Sequence, residues 1–206
     1  MFESMYFRRI ILVASAIALT SSVAFSATGP DCIIPKPVKA VVAEGEYSLK
    51  SDGSDVRVHF GDRRFLKEIN SLNLPEFAKN EAYKIQVGKK GIDIFALTET
   101  GVYRAKTSIN QMLDKDSTLV QCQILDYPRF RHRGLMLDIS RNFRDKDFIL
   151  KQLDAMALLK MSTLHLHLTD DAGWRIQIDA YPQLTEKAAW REGRTYEEWI
   201  AGGKKY

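Results

Sequence analysis

The sequence predicts an α/β protein in two parts: a small N-terminal α/β sandwich and, behind it, a strand–helix–strand unit of the kind that begins a (β/α)8 barrel. Three observations carry this. The alternating runs Ala82–Val87 and Ile92–Leu97 flank a glycine-bounded loop, Gly88–Gly91, which is a hairpin signature. Thr100–Leu113 then spaces Val102, Ala105, Ile109, Met112 and Leu113 along one helical face. Beyond Pro128, a strand, a helix and a strand follow in turn over residues 135–168, and polar residues crowd the C-terminal ends of both strands. A βα barrel builds its active site at that end.

Taken in order, the first 26 residues read as a secretory leader. Arg8 and Arg9 supply the basic region, Ile10–Thr20 the apolar run, and Ala24-Phe25-Ser26 small residues suited to cleavage after Ser26. The apolar run is shorter than the roughly 20 residues of a spanning helix, so the expectation is a secreted or periplasmic protein with no stable membrane insertion. Ile33–Pro37 carries two prolines and predicts an extended entry. Asp55–Phe60 alternates as a half-buried strand does, Asp62–Leu72 predicts a short helix stopping before Pro75, and Leu119–Leu125 returns to strand. The first domain is thus expected over residues 27–127, with the boundary at Asp126–Arg129.

In the second part, Leu135–Leu137 predicts a buried strand closed by Asp138. Asp145 is placed to cap a helix over Lys146–Lys160 whose apolar stripe is Ile149, Leu153, Met156 and Ala157, and Thr163–Leu168 is the next strand. Strands joined by such a crossover run parallel. A complete barrel needs about 250 residues, so one starting near residue 128 is expected to be incomplete at residue 206.

Composition narrows the function. Hydrophobic residues make up 45% and charged residues 27%, an ordinary globular balance. Cleavage after Ser26 would remove Arg8, Arg9 and Glu3 and lower the net charge from +4 to +3, too mild and too dispersed for a nucleic-acid partner. The two cysteines, Cys32 and Cys122, could pair in an oxidising compartment or stand as separate thiols.

Several side chains could carry chemistry. Arg141, just past the first strand of the second part, offers a planar fork of donors suited to neighbouring sugar hydroxyls or to an ion pair at the barrel rim. Asp138 is suited to holding loop amides or an arginine, and Arg133, at the opposite end of the strand, is read as structural. His165 and His167 alternate with Leu164, Leu166 and Leu168 and share a face, which fits packed polar residues inside a barrel or two ligands of a zinc hydrolase. Asp170 and Asp171 are adjacent, so their side chains diverge and only one can face a site. Trp174 could stack on a sugar or pack in a core, and no site is assigned to Trp190 or Trp199.

The segments Arg133–Asp138 (RGLMLD), Ser140–Phe143 (SRNF) and Thr163–Arg175 (TLHLHLTDDAGWR) resemble glycoside hydrolase family 20, the β-N-acetylhexosaminidases, over most of the chain after residue 32. The resemblance implies a small α/β domain ahead of a (β/α)8 barrel, no cofactor and no metal, and a glycan partner ending in N-acetylhexosamine. It implies substrate-binding by Arg141 at the C3 and C4 hydroxyls of the terminal sugar; Asn142 stands where the family commonly has His. It implies that Asp170 supports a His from a later loop, which contacts the catalytic Glu, and leaves Asp171 to loop capping. That Glu belongs to a His-x-Gly-Gly-Asp-Glu motif absent from these 206 residues. The expectation is therefore the front part of an exo-acting glycoside hydrolase, inactive alone. The rival readings are the zinc hydrolase through His165 and His167 and a non-catalytic carbohydrate-binding fragment. The oligomeric state is not legible.

Overall fold

A computed structural model describes residues 29–203. The leader expected over residues 1–26 lies outside the described residues. The fold is α/β and forms two compact units: one runs to Arg131 and takes in Leu158–Lys160, the other holds His132–Ala157 and continues from Met161. Among the described residues no helix is long and apolar enough to cross a membrane.

The first unit is a five-stranded sheet. Its strands are β1 (Lys39–Ser48), β2 (Val56–Phe60), β3 (Tyr83–Gly88), β4 (Gly91–Ala96) and β5 (Thr118–Asp126), in the order β1-β5-β3-β4-β2. All pairings are antiparallel except β2 with β4. The hairpin between β3 and β4 turns through Lys89-Lys90. It needs Gly91 in the left-handed region (φ +123°), where an added Cβ would also stand 2.4 Å from the carbonyl oxygen of Asp55.

Helices cover this sheet. The helix of Glu99–Met112, here α3, presents Ala105, Ile109 and Met112 to Ile85, Val87, Ile92, Ile94, Cys122 and Ile124, all nearly inaccessible. Burying each of the isoleucine, valine and methionine side chains among them contributes about 1.5–3 kcal/mol. Gly101 lets the helix settle this closely, since a Cβ there would lie 2.6 Å from the Ala82 carbonyl oxygen. The opposite face, where Phe95 and Leu125 point, meets Phe65 and Ile69 of helix α1 (Arg63–Ser71). Asp62 caps α1 through the amides of Arg64 and Phe65, both at 2.9 Å. The expected sandwich therefore gains a second helical layer. It also gains a helix the sequence reading lacked, α2 (Glu76–Glu81), which is too short to show a periodic stripe.

A buried polar cluster lies in the same unit. The Tyr83 hydroxyl is 2.6 Å from Ser108 Oγ and donates to Asp126 Oδ2 at 2.7 Å, while Lys160 Nζ donates to both that hydroxyl (2.8 Å) and that carboxylate (3.1 Å). Cys32 and Cys122 are both free thiols, the first half-buried and the second buried.

The second unit holds the parallel strands β6 (Gly134–Asp138) and β7 (Thr163–His167), connected through α4 (Lys146–Leu158). Asp145 Oδ1 caps α4 at the Phe148 amide, 2.8 Å away. A two-residue-arm hairpin, β8 (Thr169–Asp170) with β9 (Gly173–Trp174), follows, then the short helices α5 (Gln183–Glu186) and α6 (Tyr196–Ala201). Thr195 and Glu198 form a capping box on α6, whose Trp199 is buried. Two expectations need correcting. The strand at Leu135–Leu137 is only partly buried, with Met136 at 56% exposure, and Leu153 in the helical stripe is 40% exposed, leaving Met156 as the buried residue of α4. A two-stranded sheet gives each strand one neighbour, and so fewer side chains to cover it.

Candidate active site

In the β6–β7 ladder Asp138 lies opposite His167, so the two strands end together. The chain then crosses from β6 towards β7: the amides of Ile139 and Ser140 both donate to the His167 carbonyl, at 3.1 and 3.2 Å. This turn delivers Arg141. Asp138 Oδ1 accepts the Arg141 amide at 3.0 Å, and its Oδ2 accepts from Arg141 Nη1 at 2.6 Å. Arg141 Nη2 reaches Asp170 Oδ2 at 2.5 Å. One arginine is thus gripped by two carboxylates while 43% of its side chain stays exposed. Asp138 is half-buried, at 23% side-chain exposure.

Asp170 is the hub of this group. Its Oδ2 also meets His167 Nε2 at 2.9 Å, and its Oδ1 accepts the Asp171 amide at 2.7 Å. Loop capping here is done by Asp170 for Asp171, which is itself exposed. The Asp171 amide and the His167 ring hold the Asp170 carboxyl below the usual carboxylate range. Burial pulls Asp138 upward, but the amide and guanidinium of Arg141 outweigh it and Asp138 also titrates low. Asp138 in turn raises the already high Arg141 value. The group is an anchored cation between two firmly ionised acids, able to present donors to a neutral polar ligand.

His165 is exposed and His167 is engaged with Asp170. Among the described residues no three His, Cys, Asp or Glu side chains gather as metal ligands. Arg133 sits at the N-terminal end of β6, where its carbonyl accepts from the amides of Ser162 and Thr163. Trp174 is partly buried and donates its indole N–H to the Ile176 carbonyl at 2.6 Å; Trp190 is 71% exposed.

Arg175 escaped the sequence reading. Its guanidinium donates to three main-chain carbonyls: Ile139 at 2.9 Å (Nε), Ser140 at 3.0 Å (Nη2), and Ala189 through Nη1. Its charged face lies 5.2 Å from the centre of the exposed Phe143 ring. Burial lowers its pKa. Ser140, fully buried, donates Oγ–H to the Gly173 carbonyl at 2.7 Å. The available signal was Gly173, since a glycine inside a strand marks close approach of another group.

Family comparison gives this arrangement its class. A model of glycosyl hydrolase family 20, catalytic domain, matches residues 130–204, and one of glycosyl hydrolase family 20, domain 2, matches residues 55–127. The chain belongs to glycosyl hydrolase family 20. It is 47% identical over 116 residues to an N,N'-diacetylchitobiase of Vibrio harveyi, a match covering 55% of this chain and 13% of that protein. It is 37% identical over 124 residues to beta-hexosaminidase B of Pseudoalteromonas piscicida, covering 60% and 16%. Among solved structures, the family 20 exo-β-N-acetylglucosaminidase of Vibrio harveyi in complex with N-acetylglucosamine superposes with a TM-score of 0.63 at 30% identity, over 83% of this chain and 30% of that one. The Flavobacterium johnsoniae chitobiase gives 0.62 at 31%, over 83% and 32%. The chain thus spans under a third of each of these two solved relatives.

Proposed function

We propose that residues 128–206 begin a (β/α)8 barrel and that the whole protein removes terminal β-linked N-acetylglucosamine or N-acetylgalactosamine from glycans. The observation that carries this is Arg141, held between Asp138 and Asp170 at the C-terminal ends of two parallel strands. In this reading Arg141 binds the C3 and C4 hydroxyls of the terminal sugar. Two carboxylates fix its guanidinium, and the part of the side chain that stays exposed meets the ligand without reorganising. The family match and the relative bound to N-acetylglucosamine support the same substrate class.

The reaction is the substrate-assisted exception among retaining glycosidases. The acetamido oxygen of the sugar attacks the anomeric carbon, an Asp orients that acetamido group, and the adjacent Glu protonates the leaving oxygen and then activates water. In this reading the Asp–Glu pair comes from barrel strands following residue 206. A carboxylate offers about four acceptor sites. The amide of Asp171, the guanidinium of Arg141 and the ring of His167 account for three on Asp170. In this reading a His from a later loop also contacts Asp170, and through it Asp170 supports the acid. In this reading residues 1–26 are a secretory leader and the protein works in a secreted or periplasmic setting.

The test is hydrolysis of a chromogenic β-N-acetylglucosaminide by the whole protein, compared with its Arg141→Ala variant. Turnover by the first and a large loss of kcat/KM in the second are expected. Wild-type efficiency in the variant would place Arg141 outside the sugar pocket.

A further inference from the structure

Arg141 can orient a sugar only if the backbone that carries it is fixed, and the fixing comes from a second arginine. The turn Ile139–Ser140 is tied to β7 through the amides, which donate to the His167 carbonyl. Its carbonyls face the other way, and both end on Arg175. The same guanidinium reaches Ala189, on the segment before α6. Every polar contact of Arg175 named here is to a main-chain oxygen, so its charge serves geometry and neutralises no acid. Gly173 makes room for it: an added Cβ would stand 2.7 Å from Arg175 Nη2 and 3.0 Å from the Ser140 carbonyl oxygen, inside the bond that joins them.

From this geometry we propose that Arg175 is a positioning residue for the sugar-binding Arg141, acting through the Ile139–Ser140 backbone, with Gly173 as the small residue that admits it. The inference rests on the sugar-binding reading of Arg141. Without Arg175 two carbonyls in a largely buried turn lose their donors, and the turn relaxes. Asp138 and Asp170 would still hold a cation, but one whose plane no longer matches the sugar hydroxyls. The Phe143 ring lies against the Arg175 guanidinium, 5.2 Å from Cζ to its centre.

The whole protein decides this through a double-mutant cycle read by NMR titration with N-acetylglucosamine. Arg175→Met is expected to weaken binding about tenfold when Arg141 is present and less than about twofold in an Arg141→Ala background, because a residue acting through another loses its effect when that other is removed. A merely structural role would give the same fold-change in both backgrounds, and that result overturns the proposal. So does unchanged affinity in Arg175→Met while Arg141→Ala binds weakly, a result that leaves the sugar-binding reading intact. Unchanged affinity in Arg141→Ala itself removes that reading, and the proposal with it. If Arg175→Met does not fold, Arg175→Lys, which keeps the charge but cannot reach three carbonyls at once, takes its place in the same cycle with the same outcomes.

Discussion

The carboxylate of Asp170 and the guanidinium of Arg141 stand 2.5 Å apart, although one belongs to the hairpin after β7 and the other to the turn after β6. The contact makes Asp170 a direct partner of the cation proposed to hold the sugar, beside any later histidine it supports. Substituting Asp170 should therefore disturb both binding and turnover.

Asp170→Asn keeps the shape and removes the charge. The guanidinium of Arg141 loses one of its two charged partners, so affinity for N-acetylglucosamine should fall measurably by titration. Turnover should fall further and the acid limb of the pH–rate profile should move, because the support of the acid is lost as well. Unchanged affinity would show that Asp138 alone suffices to hold Arg141.

Stability should weaken in acid. Asp138 and Asp170 both titrate below their ordinary values in the folded protein, so the unfolded chain binds protons first as the pH falls. Their contribution is complete above the unfolded carboxylate value of about 3.9 and disappears as the pH drops through the depressed folded values. Thermal melts of wild type and Asp138→Asn should differ at pH 6 and converge as the pH falls through the depressed folded value of Asp138. A constant difference across that range would show that the two pairs do not contribute through charge.

Lys160→Met should strip Asp126 of its ammonium partner inside the first unit. Burial holds the Lys160 ammonium below its usual pKa, Arg104 adds to that shift, and Asp126 opposes it. Breaking one side of a buried pair costs about 3–5 kcal/mol, to be read from urea unfolding. Adding Asp126→Asn should recover part of the loss, since no buried charge is then left alone; no recovery would mean that packing, and not charge, sets the cost.

The two thiols should react differently. Burial pushes Cys122 up to about 11, whereas Cys32 is half-exposed on the entry segment. Iodoacetamide at pH 8 should modify Cys32 and spare Cys122 in the folded protein, and modify both in urea, as mapped by peptide mass. Equal labelling in the folded state would show that the β5 region opens readily.

Local chemistry was legible in the sequence. The glycines at 88 and 91 marked the hairpin, Asp62 and Asp145 marked helix starts, and Val102, Ala105, Ile109 and Met112 marked a buried face. The parallel pairing of β2 with β4 was not, because it depends on where α1 and α2 return the chain and leaves no mark on β2 itself. The site shows the same division. Arg141 and Asp170 stood out as polar residues at strand ends, but their mutual contact needed the register of β6 against β7. Arg175 bonds to backbone oxygens, which every residue carries, so no sequence pattern names its partners.

The outermost strand β1 pairs with β5, the last strand of its unit, from Lys39 opposite Leu125 to Ser48 opposite Thr118. During synthesis the first strand made is therefore among the last to be paired, and it waits while the whole sheet emerges. The β3–β4 hairpin can close at once, with two residues in its turn, and offers a template that β5 extends before β1 completes it. Until then Val41 and Val42 lie on an open edge, a strand free to pair with a neighbouring chain. The stage most exposed to misassembly thus falls early, before Asp126 is available, and the charged residues Lys39, Glu44 and Glu46 along β1 are its built-in deterrent.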